Sequence, residues 1–195
     1  MKASGLSIIR RSEWSFITSG TGGVGLSVVA VSGGTVVLSD PREREQRFRY
    51  GAAGVGWSFG IRKIPTIGRL DTRRIDPRGL SDRFSGNVAP PAFWNHGAVW
   101  LLNGSNGNEL TADDFAGACV AYDAGTGLIA GYSGAVMLVG INPVALAAAV
   151  AGPVGQILGP RIDPKAAILS RGWNVGPQAS AGITGQVGYM WHHAD

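Results

Sequence analysis

Residues 27–39 read SVVAVSGGTVVLS, two β-branched runs on either side of a pair of glycines. Val and Thr lose side-chain freedom in a helix and pack well on a pleated surface, so such runs favour strands. Two glycines between them predict a hairpin turning at Gly33 and Gly34. The period of two continues further along. Phe48 and Tyr50 alternate with Arg47 and Arg49, and Trp57, Phe59 and Ile61 alternate with Ser58, Gly60 and Arg62. Further short apolar runs are HGAVWLL, FAGACVAY, GLIAGY, AVMLVGI and GITGQVGYMW, separated by Asn/Gly, Asp-Ala-Gly or Ser-Gly punctuation. The expectation is a mainly β chain: a single domain over residues 1–195, folded as an antiparallel β-barrel or sandwich with one or two short helices.

One helix is well signposted over residues 143–151, with Asn142 as N-cap, Pro143 at the first position and Gly152-Pro153 as the stop. A second helical pattern, DPKAAILSRG, is capped by Asp163 and ended by Gly172. Residues 64–91 are rich in Arg, Pro and Gly with little periodicity, and read as a long connection.

Charge narrows the function classes. The formal net charge is +4, and only 15% of residues are charged, against about 25% in ordinary domains. Between Asp40 and Arg83, 11 basic residues interleave with six acids. Alternating signs of this kind mark a solvated edge more than the basic face that nucleic acid requires, so nucleic acid is not an expected partner. The chain has 1 cysteine, Cys119, inside FAGACVAY, which excludes an internal disulfide and reads as a small buried hydrophobe. Arg10 and Arg11 interrupt the first apolar residues, so no secretory signal is recognised. The chain is expected to be made in the cytoplasm and to leave it, if at all, by a route that does not read such a signal.

Two glycine motifs invite catalytic or cofactor readings. Gly20, Gly22 and Gly25 form G-x-G-x-x-G, with Asp40 further on. A dinucleotide site needs a helix after these glycines, whereas LSVVAVSGG is strand-like. GWSFG, around Ser58, matches a hydrolase nucleophile elbow, and Asp113, Asp114 or Asp123 and then His192 or His193 come later in triad order. The elbow needs a strand before the serine and a helix after it, but Pro65 prevents a continuous helix there. Alternation makes Ser58 an ordinary strand residue. His192, His193 and Asp195 converge poorly on a metal, because adjacent strand residues face opposite ways. His96 reads as a loop or interface residue, and Asp113-Asp114 as a polar turn or helix start capped by Thr111. No catalytic, cofactor-binding or metal-ligating residue is assigned.

What stands out is an absence of charge. Residues 124–160 contain no charged side chain, and neither do residues 14–39. The bland reading is buried core. A single membrane-spanning helix is excluded, since the helix of residues 143–151 is about 14 Å long at 1.5 Å per residue, against a hydrocarbon thickness of about 30 Å. The spacings Gly127/Gly131 and Gly155/Gly159 are those that let segments pack closely in lipid. A permanent outer-membrane barrel is disfavoured by the missing signal and by the lack of a regular series of strands long enough to cross.

In texture the chain resembles small bacterial effectors of the membrane-permeabilising type VI secretion class, which are also signal-less, glycine-rich and rich in small-xxx-small spacing. The resemblance implies a membrane-active, pore-forming effector without catalytic activity, with a lipid membrane as target and an immunity or carrier protein as partner. Its insertion candidates are Gly127, Gly131, Val139, Gly155 and Gly159. The competing expectation is a soluble, non-catalytic β-barrel that binds a partner or forms a homo-oligomer; a serine hydrolase acting through Ser58 is the third.

Overall fold

Alternating apolar positions commit most of the described chain to strands. The computed structural model describes residues 9–26, 29–59, 95–102, 105–127, 130–150, 162–175 and 181–193. In chain order these form β1 (Arg10–Arg11), β2 (Ser15–Leu26), β3 (Val29–Ser39), β4 (Glu45–Phe59), β5 (Asn95–Leu101), β6 (Gly117–Gly127), β7 (Ala130–Ile141), α1 (Pro143–Val150), β8 (Ala166–Val175) and β9 (Ala181–His193). A short 3-10 helix, Ala112–Asp114, precedes β6.

All nine strands join one antiparallel sheet in the order β1-β5-β8-β7-β6-β9-β4-β3-β2. The first segment of the chain serves both edges. β1 pairs with β5, Ser12 N–H donates to the Val99 carbonyl at 2.9 Å, and β2 then runs along β3. Phe16 of β2 covers Gly97 of β5, where a Cβ would collide with its ring. The sheet therefore curls into a half-barrel whose edges meet at one end, so that end has no open edge to pair with another chain.

The inner face holds the core. Trp14, Val36, Leu38, Phe48, Tyr50, Val99, Leu101, Cys119, Val139, Ile168 and Met190 are buried there in one cluster with Leu110 and Phe115. A smaller cluster lies on the outer face, where Leu146 of α1 packs with Ala118, Val120 and Ile141. The Asn142 side chain caps α1 by accepting from the N–H groups of Val144 (2.9 Å) and Ala145 (3.2 Å), as its sequence predicts.

Three sequence expectations need correction. Gly33 and Gly34 do not turn; they lie mid-strand in β3, in register with Gly22 and Thr21 of β2 and with Gly51 and Tyr50 of β4. A glycine opposite a large aromatic is a stable strand arrangement, because the ring takes the space its missing side chain leaves. The hairpin between β2 and β3 instead closes between Leu26 and Val29. The helical pattern at DPKAAILSRG is a strand: residues 166–175 form β8, held between β7 and β5. Ladder bonds on both sides outweigh the modest helix propensity of its Ala and Leu. The strands are also longer than their short apolar runs suggest. β2, β3, β4, β6, β7, β8 and β9 run from 10 to 15 residues. The connection expected over residues 64–91 lies outside the described residues.

Candidate functional site

Up-and-down strands sort the chain into two poles. The turn at residues 40–44, the β5–β6 connection, α1 and the approach to β8 lie at one pole. The facing ends of β2 and β3 and of β6 and β7, the end of β4, the end of β8 and the start of β9 lie at the other. Charge follows this division. β2, β3, β5, β7 and β9 contain no Asp, Glu, Lys or Arg, and those of β4 (Glu45, Arg47 and Arg49) come in its first third. Asp123 in β6 and Arg171 in β8 sit at mid-height. Among the described strands, one pole is charged and the other is not.

The charged pole is tied by carboxylates. Asp40 closes the β3–β4 turn, accepting from the N–H groups of Arg42 (2.8 Å) and Arg44 (2.9 Å) and from the Arg44 guanidinium (2.8 Å). Burial alone would raise its pKa, but these bonds outweigh it and hold the carboxyl below its ordinary range. Glu109 accepts from the Ser12 hydroxyl and from the N–H groups of Glu13 and Leu110, and pairs with Arg10 at 3.3 Å. Asp114 pairs with Lys165 at 2.6 Å and accepts from both the N–H and the hydroxyl of Thr111. In both, desolvation pushes the pKa up and the bonds to the charged form push it further down, so each is lowered.

The outer wall carries exposed apolar rows, with Arg171 of β8 as an exposed charge in the same alternate set. Tyr122, Val136, Leu169 and Ala98 form one lateral row across β6, β7, β8 and β5. The first three are 52%, 38% and 38% exposed, values high for aligned apolar residues on a wall. A parallel row runs Ala53, Val187, Val120, Leu138, Ala167 and Trp100 through six strands without a polar residue. On β9, Val187 and Tyr189 are exposed, and α1 adds exposed Val144 and Val150. Aligned exposed apolar residues of this kind are candidates for a contact surface.

The inner face changes character with height. Above the apolar core, the Ser32 hydroxyl bonds to Gln186 Oε1, and the Tyr50 hydroxyl bonds to Ser32. Asp123 occupies the alternate set of β6 that also contains buried Cys119 and Ala121, so it belongs to this inner layer.

Gly127 and Gly131, two of the insertion candidates, face each other as a register pair at the tip of the β6–β7 hairpin, so their spacing belongs to a hairpin and not to a helix. Val139 is fully buried in the inner core. Gly155 and Gly159 lie outside the described residues. Ser58 is a β4 residue in register with Gly182 of β9, and residues 60–94, where an elbow would need its helix, lie outside the described residues. Gly20, Gly22 and Gly25 are paired with β3 throughout. His192 contacts Gln46 at 2.9 Å and stacks near Phe48, and no metal-binding cluster occurs among the described residues. Thr111 does start a helical turn, as its sequence predicts. Sequence reading misses the outer rows; the signal lies in the parity of Val136, Leu138, Val187 and Tyr189 within their strands.

Fold and wall together define a small curled β-sheet protein whose described strands carry charge toward one pole and exposed apolar rows on the outside. A comparison with known proteins gives the family. The chain is 32% identical over 192 residues to the toxin protein Tse4 of Pseudomonas aeruginosa (strain PAO1), covering 94% of this chain and 95% of that protein, and it belongs to the same family. No family model matches the chain, and no solved structure does.

Proposed function

We propose that this protein is a bacterial toxin that acts by entering a lipid bilayer with its strands and making it permeable. The observation that carries the reading is the exposed apolar row on the outer wall, on which Arg171 of β8 is a charge at mid-height, together with described strand ends that carry charge at one pole and none at the other. A strand crosses a bilayer with about 9–11 residues when tilted, and seven strands here reach that length. A spanning barrel also needs apolar positions outside and polar or small ones inside. No described helix is long and apolar enough to cross a membrane. Kinship with a toxin supports a harmful target effect, and a producing cell would need an immunity protein against it.

The test is leakage of a small dye from lipid vesicles, paired with single-channel recording in a planar bilayer. Wild-type protein is expected to release dye and to give discrete conductance steps. Vesicles left intact at every protein-to-lipid ratio, with a stable soluble oligomer in gel filtration, would favour the partner-binding barrel instead.

A further inference from the structure

The connection between β5 and β6, residues 102–116, crosses the charged pole. β8 and β7 separate β5 from β6 in the sheet, so the segment has to pass beneath both. It is tied on each side. On the side of the first segment, Glu109 binds Ser12, Glu13 and Arg10, and Trp14 Nε1 donates to the Leu110 carbonyl at 2.7 Å. On the far side, Asp114 pairs with Lys165, and Leu102 N–H donates to the Lys165 carbonyl at 2.9 Å. Gly140, at φ 68°, leaves room there for the Asp114 carbonyl, which a Cβ would strike.

Between these ties the segment sends Leu110 and Phe115 inward. Phe115 is fully buried, with its ring centroid 4.8 Å from Trp14 and 5.1 Å from Phe48. These rings pack against one another on the inner face of this pole. None of the described residues of 102–116 belongs to a strand ladder, so the segment can leave without unpairing any strand.

We propose that residues 105–116 are a plug that closes the charged pole, with Glu109 and Asp114 as its two latches. This rests on the pore reading. The structure is the closed form, and conduction requires Phe115 and Leu110 to withdraw from the lumen while the ladders persist.

The single cysteine reports on this directly, because Cys119 is fully buried on the inner face of β6 beside the plug. The experiment treats wild-type protein with a small water-soluble methanethiosulfonate, in buffer and with vesicles, while dye release is followed. Cys119 is expected to stay unmodified in buffer and to react in vesicles in step with leakage. Asp114→Asn and Glu109→Gln should each speed both processes roughly two- to fivefold, the size expected for losing a partly exposed ion pair. Leakage with Cys119 still unmodified would overturn the plug and leave the pore reading standing. Equal modification in buffer and vesicles overturns it too. Vesicles that stay intact with Cys119 silent retire both readings. Should a latch variant misfold by circular dichroism, the wild-type comparison still decides.

Discussion

A methyl group placed on Gly188 of β9 would lie 2.7 Å from the Cβ of Ala52 in β4. Gly54 is as confined, since its Cβ would strike the backbone of Gly185 and Gln186. At both positions β9 and β4 approach too closely for a side chain, so glycine is required. Gly188→Ala and Gly54→Ala should each destabilise the fold by about 1–3 kcal/mol through overpacking. Gly134 is the control. A Cβ there meets only the Ser170 carbonyl at 3.6 Å, an ordinary contact. Gly134→Ala should be neutral or stabilising by about 0.5 kcal/mol. Urea denaturation of the three variants checks the contrast.

Acid should loosen the charged pole first. Asp40, Glu109 and Asp114 all have folded-state pKa values below their ordinary ones. Their stabilising contribution is therefore complete above the ordinary carboxylate range and is lost as pH falls through the lowered folded values. Stability should be flat near neutrality and decline below about pH 4. Asp114→Asn should lower the plateau by no more than about 1 kcal/mol, because the Lys165 pair is partly exposed. It should also make the acid decline shallower. Thermal melts at stepped pH measure both, and an unchanged acid limb in Asp114→Asn would remove that residue from the account.

Ser58→Ala should leave any toxic activity intact. Ser58 pairs with Gly182 inside the β4–β9 ladder, whereas a nucleophile elbow stands on a strained strand-to-helix turn. A fluorophosphonate that labels Ser58 stoichiometrically would contradict this.

Much of the fold was legible because the local signal and the tertiary demand agreed. Alternation at residues 47–50 and 57–59 named strand β4, and Asn142-Pro143 named the start of α1, since caps and parity act over a few residues. Where the signal was ambiguous, long-range pairing decided. Gly33-Gly34 suits a turn or a mid-strand contact equally well, and the choice depends on β2 and β4, which the local stretch does not contain. Residues 166–171 likewise fit a helix until β5 and β7 flank them. The apolar rows on the wall were harder still. Val136, Leu169 and Ala98 become neighbours only once three strand registers are known. The uncharged run of residues 124–160 does not by itself say which of its residues face outward.

That distinction yields the last prediction. Val136 and Val139 stand three residues apart in β7, yet Val136 is 38% exposed on the wall and Val139 is fully buried in the core. Val139→Arg places an unpaired cation among Phe48, Val99 and Met190, and should cost more than about 4 kcal/mol, enough to unfold a protein of this size. Val136→Arg adds a cation to a surface already open to water, so the protein should stay folded and soluble within about 0.5 kcal/mol of wild type. In a bilayer the same cation would face hydrocarbon, at about 2–4 kcal/mol near the midplane of a strand-built span. Val136→Arg, and Leu169→Arg beside it in the same row, should therefore keep the native circular dichroism spectrum while losing most dye release. Retention of full leakage by the doubly substituted, folded protein would mean that this wall does not meet lipid.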